Sequence, residues 1–301
     1  MHSDLVELGW TEEHFNRIYA TVTEEAQKAR VAAQVLSLVG PLDPTAVATP
    51  RYALNAVPNP RQVPAVTALN RLEVDSDPTL FLTKIALNVY LHNREAADPS
   101  LTAALTVFRR AANYMARIED ALIFNGRPGP GLPPPFGIGG IPNVYTITGN
   151  GTPEGVIPFV TPPGRRRFLP ILAFPGPALG DRIINAIIRS INLLDAAGQL
   201  GPYACVLSPN LFAAVCTPNN NLVLPRDRIL PFLQGPLLRS SAVFGNFGVV
   251  VALSAAPLEL VVGSDTNVLF LQRTEEARLA FQVSERVALR VKESAAIAIL
   301  V

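Results

Sequence analysis

Lysine, histidine and cysteine are scarce in this chain, and each shortage removes a class of function. Of 25 basic side chains only three are lysines (Lys28, Lys84, Lys292), and 24 acidic side chains leave a net charge of +1. Without a cationic excess the chain is not built to coat nucleic acid or an anionic membrane surface. The three histidines, His2, His14 and His92, form no H-x-x-x-H or H-E-x-x-H pair. Cys205 and Cys216 have no histidine beside them, so they match neither a zinc site nor a disulfide framework and read as buried free thiols. A metal site would need carboxylates alone, and none is expected. There is no G-x-S-x-G elbow, no S-x-x-K at a strand-to-helix turn and no P-loop lysine. Gly137-Ile138-Gly139-Gly140 follows prolines rather than a strand and reads as a turn. Enzyme chemistry thus finds no purchase.

Long apolar runs are missing too. Residues Ser240 to Leu258 carry no acidic or basic side chain, but Gly245, Asn246, Gly248 and Pro257 interrupt them, so buried strands are expected rather than a membrane helix. The start, Met1-His2-Ser3-Asp4, has no basic region leading into an apolar one, which points to the cytosol.

What is present is apolar. Charged residues make up 16% of the 301 and apolar ones 49%, a ratio that leaves much of the surface to meet other protein. Proline is abundant, with 28 residues against a usual share of about 5%, yet there is no collagen period and the apolar fraction excludes disorder.

From Thr11 to about Ala33 the pattern is helical. It opens on a capping box in which Thr11 accepts from the third helical amide and His14 takes the place of glutamate. Phe15, Ile18, Tyr19, Val22 and Ala26 form its apolar stripe. A strand-like run from Val35 to Val39 ends at Gly40-Pro41. Seven prolines then fall between Pro41 and Pro78, and this segment reads as an extended two-stranded arm at a sheet edge. The strongest helix runs from Ser100 to Phe124, with Leu101, Leu105, Phe108, Ala112, Met115 and Leu122 on one stripe and Gly126 as its stop. Glu119 lies on that stripe, so an arginine or backbone partner is expected for it, with Asp120 on the next face. From Arg127 to Gly180, 13 prolines and 11 glycines make a long loop. Asp181 is expected to cap a further helix that closes at Ala197-Gly198. A strand from Tyr203 to Leu207 follows, then Ser208-Pro209 at another helix start. After Arg239 several pieces alternate with period two, and a single sheet is expected from them. The class is α+β, with the long helix covering that sheet. Arg165-Arg166-Arg167, without interleaved aromatics, reads as a solvated loop or an inter-subunit ion pair. Asn219-Asn220-Asn221 reads as a polar turn.

At Ala116-Arg117-Ile118-Glu119-Asp120-Ala121-Leu122-Ile123-Phe124-Asn125-Gly126 the sequence resembles the end of the spine helix of encapsulins, shell proteins of bacterial and archaeal nanocompartments. Gly201-Pro202-Tyr203, Val39-Gly40-Pro41 and the tail from Leu258 to Ile299 are similar to that family in the same order. The resemblance implies the fold of tailed-bacteriophage major capsid proteins, with a P-domain, an A-domain and an E-loop. The corresponding boundaries are 1–40 for the amino-terminal helix and the approach to the P-domain, 41–78 for the E-loop, and 79–126 for the P-domain with its spine helix. Residues 127–236 are the A-domain with a Pro/Gly-rich insertion, and 237–301 the closing P-domain strands. It also implies a cytoplasmic, bacterial, self-assembling icosahedral shell around a cargo enzyme that carries a terminal targeting peptide, with a ferritin-like protein or a peroxidase as candidate cargo. Ala33, Val35 and Ser37 fall where the family docks that peptide. Thr217, Asn219, Asn220 and Asn221 fall on the loop lining the five-fold pore, where a neutral ring passes small solutes with little charge selection. Flavin, which some relatives hold through a tryptophan before the spine helix, is not expected, because Thr83 to Leu91 contains none. Lysine cross-linking through the E-loop is excluded as well, since no lysine lies between Lys28 and Lys84. The alternative from the same fold is a phage or prophage capsid subunit packaging DNA.

Overall fold

A computed structural model describes residues 10–43, 45–55, 73–76, 78–126, 140–142, 144–149, 155–157, 167–176, 178–218 and 223–301. Helix α1 (Glu12–Ala29) opens with the expected capping box: Thr11 Oγ1 accepts from the His14 amide and His14 Nδ1 accepts from the Thr11 amide, each at 3.4 Å. It stops four residues earlier than the periodicity predicts. Arg30 turns to extended backbone and a separate short helix, α2 (Ala32–Val35), follows. Only then does β1 (Ser37–Val39) begin, so Val35 belongs to the helix and not to the strand. The physical cause is at Arg30, whose side chain turns into the protein to meet buried carboxylates.

Beyond Gly40 the chain makes the expected arm. Gly40 sits at a positive φ of 127°, and a Cβ there would come within 2.2 Å of the Val262 carbonyl oxygen, which only glycine avoids. Strands β2 (Ala48–Pro50) and β3 (Ala53–Asn55) lead outward, and β4 (Glu73–Asp75) and β5 (Thr79–Phe81) return, with β2 paired to β5 and β3 to β4, both antiparallel. Strand β6 (Thr83–His92), the one-turn helix α3 (Asn93–Ala96) and the long helix α4 (Thr102–Asn125) come next. The helix ends at Gly126, whose φ is 76°. All six stripe residues are buried, five of them on α4 and Leu101 at its N-cap.

The C-terminal strands form two sheets, not the single one expected. The first has the order β1-β12-β13-β6-β7, with β7 (Tyr145–Thr148), β12 (Leu258–Arg273) and β13 (Arg278–Val291). The second has the order β10-β9-β11-β14-β8, from β8 (Arg167–Leu169), β9 (Tyr203–Leu207), β10 (Gln234–Arg239), β11 (Gly248–Ala252) and β14 (Ile297–Leu300). Period-two alternation marks a strand without saying which neighbour it takes, so the assignment of β14 to the sheet of β9 was invisible. Residues 248–252 and 297–300 therefore pair in one sheet with 203–207, across the boundary drawn at 236.

Helices α1 and α4 pack on the first sheet around Phe281. The Trp10 ring stacks on it at 5.2 Å, and Phe108 and Phe270 meet its edge at 5.4 Å each. Trp10 Nε1 donates to the Ala96 carbonyl at 2.8 Å, so the one tryptophan ties the start of α1 to α3. The second sheet carries helices α5 (Leu179–Asp195), α6 (Pro209–Val215) and α7 (Pro225–Leu233). Helix α5 starts at Leu179, so Asp181 lies within its first turn rather than capping it, and bonds Arg228 at 2.8 Å. Helix α6 begins at Pro209 as expected, although the Ser208 side chain makes no capping bond. Cys205 and Cys216 are free thiols, the first buried and the second half-buried. No helix of the described residues is long and apolar enough to cross a membrane.

Candidate functional site

The site begins at the joint where α1 ends. Arg30 is buried, and its Nε lies 2.6 Å from Glu119 Oε2 on α4. One of its terminal nitrogens pairs with Glu285 on β13 and donates to Thr266 Oγ1 on β12 at 2.8 Å. The other lies 3.8 Å from the exposed Asp265 carboxylate. The sequence signalled this with Glu119 on an apolar stripe, and the arginine partner expected for it is Arg30. Asp120 faces the other way. Its carboxylate accepts from the Val31 amide at 3.0 Å and the Ala32 amide at 2.7 Å, supplying the cap that no side chain of α2 itself provides.

One arginine thus faces more buried carboxylate than its charge neutralises. Burial, then the facing Glu285 carboxylate, holds Glu119 well above the usual carboxylate range against the pull of Arg30. Burial pushes Asp120 up to about 7, although the Ala32 and Val31 amides favour its ionised form. For Arg30 burial disfavours the charge, but Glu285 and Glu119 outweigh it and raise its proton affinity.

The joint fixes the position of α2 and β1, and these form one wall of a cavity of about 170 Å³. Gln34, Val35, Leu36 and Ser37 line that wall. Val251, Ala252 and Leu253 from the end of β11, with Ala256, Pro257 and Leu258 at the start of β12, line the other. No lining residue is charged. Gln34 is tethered, its Nε2 donating to the Arg30 carbonyl at 2.7 Å. Ala255 and Ala256 hold the facing turn with φ of 61° and 48°, values that few non-glycine residues adopt. Of the three residues singled out from the sequence, the fold brings Val35 and Ser37 to this cavity. Ala33 does not line it; it is half-buried and packs on the core. The far wall was illegible, since nothing in the order of residues brings 251–258 to 34–37.

A second cluster sits at the root of the arm. Buried Arg290 on β13 donates to Glu259 Oε2 at 2.8 Å and to Thr49 Oγ1 on β2 at 2.7 Å, with its guanidinium 4.9 Å from the Tyr52 ring centroid. Lys292 Nζ reaches the other oxygen of Glu259 at 2.6 Å, and the Leu54 amide donates to the Lys292 carbonyl at 2.9 Å. The bond from Arg290 to Thr49 and that from the Leu54 amide to Lys292 tie the arm to the first sheet, while Glu259 holds the two cations in place within it.

Of the residues placed on a pore loop, Thr217 is exposed just past α6, its hydroxyl donating to the Ala213 carbonyl at 2.9 Å. Asn219, Asn220 and Asn221 lie outside the described residues, as do Arg165 and Arg166. Arg167 opens β8.

The profile of the Linocin_M18 family, described as "Encapsulating protein for peroxidase", matches residues 8–141 and 169–288. Over 295 residues the chain is 26% identical to the type 1 encapsulin shell protein EncA of Myxococcus xanthus, covering 96% of this chain and 92% of that one. Its fold is similar to that of the virus-like particle from Pyrococcus furiosus, with a TM-score of 0.67 at 14% identity over 96% of this chain and 100% of the other. It is also similar to the capsid of Myoviridae phage XM1, with a TM-score of 0.53 at 10% identity over 88% of each chain. At these identities the two structures show the fold, which is the α+β fold of tailed-phage major capsid proteins.

Proposed function

The chain belongs to the Linocin_M18 family of encapsulating proteins, and from that premise we propose that it takes up its cargo through a peptide seated in the cavity between residues 34–37 and 251–258. The protein is an encapsulin shell protein, a structural subunit of an icosahedral shell and not an enzyme.

The observation that carries the docking reading is the uncharged cavity beside Val35 and Ser37, where the family resemblance puts the cargo contacts. Walls built from Val35, Leu36, Val251, Ala252, Leu253, Pro257 and Leu258 favour apolar peptide side chains, and Gln34 and Ser37 add neutral polar groups at the rim. A charged side chain would lose its hydration here without gaining a partner. The occupant is the terminal segment of an enzyme, with a ferritin-like protein or a peroxidase as candidates, enclosed in a bacterial cytoplasmic compartment. Residues 41–78 act as the E-loop that reaches a neighbouring copy, and 127–236 hold the A-domain. The loop of Thr217, Asn219, Asn220 and Asn221 rims a five-fold pore for small solutes. Near-neutral net charge supports protein cargo over a packaged genome. The test is to isolate particles from the source cells, identify the enclosed protein by mass spectrometry, and express that protein with the shell, with and without its terminal segment. Empty particles on truncation support the reading; unchanged loading contradicts it.

A further inference from the structure

Beside the cavity lies an open sheet edge. Strand β1 is the terminal strand of the first sheet, paired in parallel to β12 through Ser37, Leu38 and Val39. Among the described residues no strand pairs with its outer side. Ser37 and Leu38 are exposed, Leu38 by 60% of its surface. An unpaired edge presents backbone N–H and C=O groups that bind another extended chain, and proteins ordinarily blunt such edges by keeping them short or with charge or proline; β1 is short, at three residues. Residues 34–39, Gln-Val-Leu-Ser-Leu-Val, contain neither charge nor proline. The edge also starts where the cavity does, since Ser37 belongs to both.

We propose that the docked peptide adds to the first sheet as a further strand beside β1, with an apolar side chain anchored in the cavity at the start of that strand. The proposal rests on the docking reading above and adds the mode of recognition. Main-chain hydrogen bonds to β1 supply affinity that is independent of side chain, and the cavity selects an uncharged residue at one position. The occupant is an extended, uncharged segment in which apolar residues alternate with small polar ones, because successive side chains of a strand point to opposite faces. Leu38 offers the exposed apolar cross-strand neighbour. In a strand the N–H groups also alternate, so those facing β1 belong to every second residue of the peptide.

That alternation gives the test. Dismantled shells are reassembled with a fluorophore-labelled, end-capped octapeptide of alternating serine and leucine, and with two variants N-methylated either at every serine or at every leucine. Retained fluorescence is measured after size exclusion. One N-methylated set binds like the parent, and the other loses affinity by about 5- to 30-fold, the effect of the one or two net hydrogen bonds that a three-residue edge accepts. Cryo-electron microscopy of the loaded shell then shows peptide backbone about 4.8 Å from β1. Equal binding by the two variants, or equal loss, overturns strand addition while leaving docking in the cavity standing. If the parent peptide is not retained, or is retained equally by shells carrying Val35→Asp, the docking reading itself fails and the proposal with it.

Discussion

Arg30, the first residue past α1, and Glu119, three-quarters of the way along α4, meet at 2.6 Å in the interior of the subunit. The same guanidinium holds Glu285 of β13, so one side chain joins the amino-terminal helix, the spine helix and the first sheet. Replacing it with an uncharged residue leaves two carboxylates buried without a cation, a loss of about 3–5 kcal/mol. Arg30→Met should lower the thermal unfolding midpoint of the particles sharply or prevent their recovery. Arg30→Lys should fall between, because one ammonium lacks the planar fork that engages carboxylates on different elements. A midpoint unchanged in Arg30→Met would show that the joint carries no weight.

Acid should strengthen this joint, the reverse of ordinary acid lability. Glu119 and Asp120 both have their folded proton affinity raised above the unfolded value. For a raised group the stabilising contribution is complete below the unfolded value and is lost as pH climbs through the folded one. For Asp120 that window runs from 3.8 to about 7, and at about 1.4 kcal/mol per unit its contribution is at most about 4 kcal/mol. The unfolding midpoint should therefore fall between pH 5 and pH 8, and Asp120→Asn should flatten that slope. A midpoint that rises over this range in the unaltered protein contradicts the assignment.

The arm should depend on Arg290. Arg290→Met removes the bonds to Glu259 and Thr49 and the contact with Tyr52, while leaving helices α1, α4 and α5 untouched. Circular dichroism should stay close to that of the unaltered chain, whereas light scattering should show fewer closed particles. Normal particle yield would mean that the arm needs no fixed root.

Val35→Asp should abolish co-purification of cargo while particles still form. The substitution puts a charge into the buried wall of an uncharged cavity and leaves the Arg30 and Asp120 side chains unchanged. Undiminished cargo in intact particles would remove Val35 from the docking site.

Much of this was legible from residue order, and the reasons differ by element. Helices α1 and α4 announced themselves because their packing follows the 3.6-residue period, and Glu119 on an apolar stripe called for an arginine or backbone partner because burying an unpaired charge is costly. The arm was legible because proline cannot occupy a central strand. The early end of α1 was not, since periodicity is blind to a side chain such as Arg30 that breaks the helix to reach distant carboxylates. The split of the closing strands into two sheets and the wall supplied by residues 251–258 depend on long-range pairing, in which Val250 of β11 sits opposite Cys205 of β9. Such pairings leave no mark on local pattern. The residues proposed for docking came from family resemblance, and the fold separated Val35 and Ser37, at the cavity, from Ala33, against the core.

The most direct measurement is cryo-electron microscopy of the purified, cargo-loaded protein. The account predicts closed hollow icosahedral particles in which α1 and the cavity beside Val35 face the lumen, with peptide density in that cavity. Small open oligomers, or closed particles with this cavity on the outer surface, would contradict it.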